Sequence, residues 1–558
     1  MKLFIVAINS KYTHTSLSAR CLYHAVKGIC DASFAEYTIN DSIEEIISDI
    51  HSRGADCVAF SCYIWNIGHI LKAASVLKRV NPHINIALGG HEAEHDAEAI
   101  LRNNPFIDAV LHGEGEISLR NYVKLLSGTD DAENLSHISY RRDNEIICLD
   151  CPCNPVDLNE LEFVYGEEID SLKNRIIYYE TSRGCPYNCT YCISGESRKV
   201  RYLDAERVKK ELLFFMEHKV PLVKFVDRTF NADVKRAKTI FEFIADNPSD
   251  TCSHMELSGA LIDRETLDIL SRVKKGGLQF EIGVQTTNSE TMKAISRSVS
   301  FEKLKSAVCA LMEMGNIHIH LDLIAGLPRE DICSFRRSFD EVIALRPHAL
   351  QLGFLKMLKG SAIRRDGDKY GYIYRDYPPY EVISNDFISY DELNELKITE
   401  VGLDKYYNSG NFKNSLRYVF DCSKSPYEVL YKLGKHLKEG NPAGYAYSVD
   451  DLFKNFTECF SHFGEEVINK LKIDYLICRR PGKRPQWMGD YNKKWMDYAY
   501  HILKDEELKK DKFPNYYDVP AKEIMKHIHP EMIGGRFYLF DYKDGKYHDA
   551  TEFLKLLD

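Results

Sequence analysis

No apolar run in the 558-residue chain approaches the roughly 20 residues needed to cross a bilayer as a helix, so the sequence reads as that of a soluble, cytoplasmic protein. A secretory leader is also missing. Met1 to Ser10 is a short apolar strand, not a charged segment followed by a long apolar one. The 16 cysteines are therefore expected to be reduced thiols rather than a disulfide framework. No G-x-G-x-x-G follows the first strand-like run, which argues against a dinucleotide. An excess of positive charge is lacking too: 73 Lys and Arg against 83 Asp and Glu leave a net charge of -10, a poor starting point for broad nucleic-acid binding.

The most telling absence is a fourth cysteine. Cys185-Pro186-Tyr187-Asn188-Cys189-Thr190-Tyr191-Cys192 places three thiols where one tight loop can turn them toward a common point. A strand-like run, Ile176 to Ser182, enters that loop, and Arg183-Gly184 supplies the bend. Thiolates so spaced favour a soft metal. Structural zinc and electron-transfer clusters normally close with four protein ligands, whereas three leave one position open. A zinc site with a distant fourth ligand, or three buried thiols, are the other readings. A second trio, Cys148, Cys151 and Cys153, has metal-like spacing, but no fourth partner is evident and a linker there needs no metal.

Hydrophobic content of 44% and charged content of 28% are ordinary for a globular protein, and the length suits about three domains. From Met1 to about Ser127, strand-like runs (Lys2 to Ile8, Ser33 to Thr38, Cys57 to Ser61, Ile84 to Leu88, Ala109 to Leu111) alternate with amphipathic stretches. This α/β pattern predicts a doubly wound, flavodoxin-like Rossmann domain over residues 1–135, with its ligand beyond the carboxyl ends of the strands. A linker over 136–173 carries a hairpin, Ile138 to Arg141 with Ile146 to Cys148, around Asp143-Asn144. Residues 174–361 then alternate again, with strands at Val223 to Val226, Met255 to Ser258, Phe280 to Val284, Ile317 to Ile324 and Ala349 to Phe354. With the strand before Cys185 these make a partial (β/α)6 barrel whose chemistry belongs at the carboxyl ends of its strands. Residues 362–558 are dense in tyrosine and read as a mostly helical accessory or substrate domain, with helices from Tyr427 to Leu437 and Phe463 to Leu471 and a strand from Asp474 to Cys478. Its basic loop, Arg479 to Arg484, followed by Trp487 and Trp495, reads as a solvated turn, so nucleic acid is not the expected partner.

The spacing C-x3-C-x2-C, with aromatic Tyr191 before the last cysteine, resembles the signature of the radical S-adenosylmethionine (SAM) superfamily. Val58 to Leu125, above all Leu88-Gly89-Gly90-His91-Glu92 and Gly113-Glu114-Gly115-Glu116, resembles the cobalamin-binding domain that precedes many radical SAM cores. The resemblance implies a 4Fe-4S cluster on Cys185, Cys189 and Cys192, with SAM on its open iron. It further implies that Tyr191 touches the adenine, Asp227 accepts from the SAM ammonium, Glu281 contacts the ribose, Gln285 faces the cavity, Arg297 pairs with the carboxylate and the Gly326 turn lies on the adenine side. For Asp227 or Asn231 the alternative is a cap on the next helix, for Arg297 a plain surface residue, and Glu256 has no assigned role. Cobalamin is expected against Ser61, Tyr63, Trp65, Gly89, Gly90, His91, Gly113, Glu114 and Gly115.

The D-x-H-x-x-G pattern of better-known cobalamin carriers is broken here: Tyr12 and Leu17 flank His14 where aspartate and glycine belong. Cobalamin is thus expected without a histidine ligand, and His14 in a loop hydrogen bond or cap. By resemblance the chain methylates an unactivated carbon of an unknown small molecule or peptide, fed by an electron donor such as flavodoxin or ferredoxin. A non-methylating radical SAM enzyme and a non-catalytic cobalamin or cluster sensor are the alternatives.

Overall fold

Strand β1 (Lys2–Asn9) is buried along nearly its whole length, as its unbroken apolar run requires. It lies inside a parallel sheet with β2 (Asp31–Thr38) on one side and β3 (Cys57–Ser61), β4 (Asn85–Gly89) and β5 (Ala109–Leu111) on the other, in the order β2-β1-β3-β4-β5. One apolar layer packs on each face, the doubly wound arrangement. The order reverses between β1 and β3, which places a crevice at their carboxyl ends. The hairpin strands β6 (Ile138–Arg142) and β7 (Glu145–Leu149) extend this same sheet antiparallel to β5, a long-range pairing that local patterning could not reveal.

The computed structural model describes residues 1–558 apart from 129–135, 143–144, 150–154, 197–198, 442–445, 481–483, 517 and 555–558. The hairpin turn at Asp143-Asn144, and Cys151 and Cys153, therefore lie outside the described residues. Two compact units result: Met1–Ser338 with Leu345–Ser389, and Phe339–Ala344 with Tyr390–Asp558.

The second sheet of the first unit starts at β8 (Ile177–Tyr179). A short antiparallel pair follows, β9 (Ser182–Arg183) with β10 (Arg201–Tyr202), bracketing the cysteine loop. Strands β11 (Leu222–Phe225), β12 (Cys252–Leu257), β13 (Leu278–Gln285), β14 (His318–Ala325) and β15 (Ala349–Phe354) then add to β8 in sequence order, all parallel. Helices Ala205–Glu217, Val234–Asp246, Arg264–Ser271 and Phe301–Met314 connect them, started by the side chains of Asp204, Asp233, Asp263 and Ser300. The second of these caps is Asp233, not Asp227 or Asn231. Strand β13 is irregular between Gly283 and Gln285, and Gln285 takes φ +70°, a backbone bend at the strand end where a site is expected.

In the second unit, helices Tyr390–Gly402, Lys413–Cys422, Pro426–Gly440, Val449–Phe460 and Glu465–Cys478 precede a three-stranded antiparallel sheet of Ile528–Ile533, Arg536–Asp541 and Lys546–Asp549. Asp474 to Cys478, expected as a strand, is the last turn of a helix. Ile473, Asp474, Tyr475 and Leu476 are all buried, so this stretch has no helical stripe to read. Asp474 accepts from the backbone of Asn414 and Ser415 and so tethers the start of a neighbouring helix.

Candidate active site

The cysteine loop leaves β9 through Gly184, whose φ is +100°. Cys185 and Cys189 are buried and Cys192 is partly exposed. The Cys192 amide donates to Cys189 O at 3.1 Å, and Thr190 N donates to Ile295 O at 3.0 Å, fixing the loop against the barrel. Three thiols on one short loop, two of them buried, suit a multi-iron cluster with one iron left open.

Asp227 corrects the expected SAM-ammonium contact. It is fully buried, and its carboxylate accepts from Thr181 N at 2.7 Å, Thr181 Oγ1 at 2.6 Å and Ser182 Oγ at 2.7 Å. It braces the β8–β9 connection just ahead of Cys185.

Arg297 lies close to the cysteines. Its Nη1 lies 3.8 Å from Cys189 Sγ and 3.2 Å from Tyr191 Oη, and its Nη2 donates to Gly283 O. A Cβ on Gly283 would stand 2.2 Å from Gln285 Nε2 and 3.4 Å from Arg297 Nη2, so glycine is what admits both side chains. Gln285 Oε1 is buried without a hydrogen-bond partner, as is Arg297 Nε. Such orphaned polar atoms mark a place where a ligand completes the bonding. The Gly326 turn (φ +86°) is held from outside by Tyr372 Oη and Asn385 Nδ2, each donating to Gly326 O at 3.0 Å.

Inside the barrel, charges gather that single strands do not reveal. Glu281 Oε2 lies 3.1 Å from His254 Nε2 and 3.3 Å from Lys224 Nζ, and the imidazole beside it holds its carboxyl down at about 2. Burial, with Glu281 nearby, pushes Glu256 up to about 7. Burial raises Asp322 well above the usual carboxylate range, with Glu281 and Glu256 adding to it.

At the carboxyl ends of the first sheet, Tyr63 and Trp65 stack with ring centroids 4.4 Å apart and planes 5° from parallel. Trp65 is 43% exposed while its Nε1 donates to Ile8 O at 3.2 Å, so it serves packing and the cavity together. Ser18 Oγ joins Ser61 Oγ at 2.9 Å and Tyr63 Oη at 3.2 Å. Gly90 takes φ +103°, and a Cβ there would lie 2.6 Å from Cys62 O. His14 makes the expected loop hydrogen bond, its Nδ1 2.5 Å from Tyr178 Oη, with Ser16 as the cap of helix Leu17–Val26. Glu114, expected as a cobalamin contact, lines the same cavity as Gly89 and Gly90 and is also bonded to Arg201 and to Val156 N at 2.7 Å.

One cavity of about 1280 Å³ joins the two sheets. Ser61, Tyr63, Trp65, Gly89, Gly90 and His91 line it from one side, and Arg183, Gly184, Ile193 and Arg228 from the other. The Arg183 contact that holds these sides together, to Glu116 at 2.5 Å, was not singled out from sequence. The arginine's place two residues before Cys185 was the available signal.

Comparison with known proteins agrees with this geometry. Residues 4–123 match the B12 binding domain model, 179–342 the radical SAM superfamily model, and 368–551 a model described as a protein of unknown function (DUF4080). The chain is 26% identical over 344 residues to 2-(S-pantetheinyl)-carbapenam-3-carboxylate methyltransferase of Streptantibioticus cattleyicolor, covering 55% of this chain and 47% of that protein. It is 25% identical over 315 residues to the cobalamin-dependent radical SAM methyltransferase TokK of Streptomyces tokunonensis, covering 52% and 45%. The chain thus spans about half the length of the curated relatives it matches. The structure of the cobalamin-dependent SAM radical enzyme OxsB with aqua-cobalamin and SAM bound shares the fold, with TM-score 0.62 at 13% identity over 87% of this chain and 82% of that one. The chain thus carries a region similar to the B12 binding domain ahead of a three-cysteine region similar to the radical SAM superfamily, with a further carboxyl-terminal region after them.

Proposed function

We propose that the protein is a cobalamin-dependent radical SAM methyltransferase acting on an unactivated carbon of a small molecule or peptide. The observation that carries this reading is one cavity bordered by the cobalamin loops on one side and, on the other, by Arg183, Gly184 and Ile193, which flank the cysteine loop. When bound, the cluster with SAM supplies a hydrogen-abstracting 5'-deoxyadenosyl radical and cobalamin supplies a transferable methyl group.

The chain's own residues do the positioning. Cys185, Cys189 and Cys192 hold the cluster. Arg297, close to Cys189, suits the SAM carboxylate as a fixed guanidinium fork, with the unpartnered Gln285 carbonyl beside it and Tyr191 available to the adenine. Asp227 holds the loop rather than the cosubstrate. Glu281, kept ionised by His254, is able to accept from a ribose hydroxyl. On the opposite wall the backbone of Gly89 and Gly90 allows close approach of a broad flat ligand, and the Tyr63–Trp65 stack supplies an aromatic face. Among the described residues no helix is long and apolar enough to cross a membrane; we place the protein in the cytoplasm, with a flavodoxin or ferredoxin as its electron donor.

Product analysis tests the proposal. Anaerobic incubation with SAM, reduced flavodoxin and a metabolite extract is expected to yield S-adenosylhomocysteine together with 5'-deoxyadenosine. Formation of 5'-deoxyadenosine alone would assign other radical chemistry, and formation of neither would leave a sensor.

A further inference from the structure

His91-Glu92-Ala93-Glu94-His95 spells H-E-x-x-H, the spacing that sets two imidazoles on one helical face for a metal. Here the helical turn is His91–Glu94, immediately after Gly90. Glu94 Oε1 lies 2.7 Å from His91 Nδ1 and 3.9 Å from His95 Nε2, and the three donor atoms all stand within 4.8 Å of one another. All three residues line the main cavity.

We propose that His91, Glu94 and His95 form a site for a divalent transition ion of zinc type, with its remaining coordination position turned toward that cavity. Two imidazoles and one carboxylate are a borderline donor set that suits zinc, and three protein ligands leave room for an exogenous oxygen donor.

Two further observations point to a ligand. His95 Nε2 is buried and has no hydrogen-bond partner, an arrangement that costs free energy unless something else bonds the nitrogen. The far oxygen of Glu94 accepts from Gly113 N at 2.8 Å, which aims Oε1 at the two imidazoles in the way outer-sphere partners orient metal carboxylates.

The middle glutamate of the motif excludes the chemistry the motif usually signals. In zinc hydrolases that glutamate is the general base. Glu92 is buried here, lies 3.0 Å from Lys359 Nζ and accepts from Tyr380 Oη. It is committed to holding the segment after β15, so the ion would anchor a ligand oxygen rather than activate water for hydrolysis. A carboxylate, phosphate or amide oxygen on the molecule in the cavity is the class it would take.

The test uses the full-length protein with its cluster reconstituted, so that the three loop thiolates are occupied. After a chelator wash, zinc is titrated against a chromophoric competitor. The expected result is one zinc per chain beyond the cluster. His95→Asn and Glu94→Gln should each weaken it by at least about tenfold, while His83→Ala, at an exposed position, leaves it unchanged. Crystals soaked in zinc should show an anomalous peak between the three side chains. Wild-type protein that retains no zinc, or zinc that is indifferent to both His95→Asn and Glu94→Gln, overturns the site. Iron content and cobalamin absorbance of the same samples check folding, and they report separately on the proposed function, on which this inference does not depend.

Discussion

Arg183 Nη2 stands 2.5 Å from Glu116 Oε1, with the side chains only 17% and 9% exposed, so the residue two places before Cys185 is gripped by the first turn of helix Gly115–Leu126, which follows β5 of the cobalamin-binding domain. The same guanidinium reaches Glu180 at 2.9 Å and Glu114 at 3.6 Å. One cation thus ties the cluster loop to the opposite wall of the cavity. Arg183→Gln would leave buried carboxylates uncompensated, and Glu180 is already raised by burial. The expected cost is about 3 kcal/mol, the scale for breaking one side of a buried pair. Arg183→Lys should restore only part of it, because an ammonium cannot hold several carboxylates in one fork. Guanidinium denaturation of the two variants measures this, and a double substitution with Glu116→Gln should cost less than the sum of the singles.

The cysteine loop makes a sharper demand. Cys185→Ala, Cys189→Ala or Cys192→Ala should each abolish the iron-sulfur absorbance after anaerobic reconstitution, because each removes one of only three protein ligands. The parent should take up about four irons per chain rather than a single metal ion. Retention of the chromophore in any of the three variants would remove the assignment.

What the sequence made legible follows the range of the interactions involved. Four of the five parallel strands of the first sheet could be read because each is an apolar run covered on both faces. The three cysteines could be read because their chemistry lies within eight residues. Asp227 could not, since its partners Thr181 and Ser182 lie 46 and 45 residues away and only the parallel pairing of β8 with β11 brings them together. The ion pair of Glu114 is out of reach of local patterning for the same reason, its partner Arg201 being 87 residues distant. The hairpin of Ile528–Ile533 with Arg536–Asp541 went unread although Gly534-Gly535, both at positive φ, are the local signal for a two-residue turn.

Gly90 tests the cobalamin wall. Gly90→Ala would force a side chain into φ +103° and bring its Cβ to 2.6 Å from Cys62 O, a backbone atom that cannot rotate away. The variant should lose about 2 kcal/mol of stability or more, and cobalamin uptake measured by its visible absorbance should fall with it. Gly54→Ala offers a control for the backbone term alone: its φ is +61° and a Cβ there meets nothing within 4 Å. Equal cobalamin uptake by Gly90→Ala and Gly54→Ala would show that the strand-end glycines do not shape the wall.

The barrel interior predicts two opposite pH dependences from neighbouring carboxyls. Glu281 is held at about 2, chiefly by His254 and against an ordinary value of 4.5, so the folded form keeps a charge that the unfolded form loses first. Its contribution is complete above about pH 4.5 and disappears as the pH falls toward 2. Glu256 runs the other way. Burial and Glu281 raise it from 4.5 to about 7, so the folded protein holds a proton that the unfolded chain releases. Stability from this group is complete below pH 4.5 and declines as the pH rises through 7. Glu256→Gln keeps the side chain's size without the titration, and should therefore gain on the parent between pH 4 and pH 8. A shift from 4.5 to about 7 makes that gain on the order of 3 kcal/mol. Because Glu281 is itself one of the causes of the Glu256 shift, the gain from Glu256→Gln should shrink in a Glu281→Gln background. Denaturation of all four proteins at both pH values measures the cycle, and an unchanged difference between pH 4 and pH 8 would mean that Glu256 does not carry its proton into the fold.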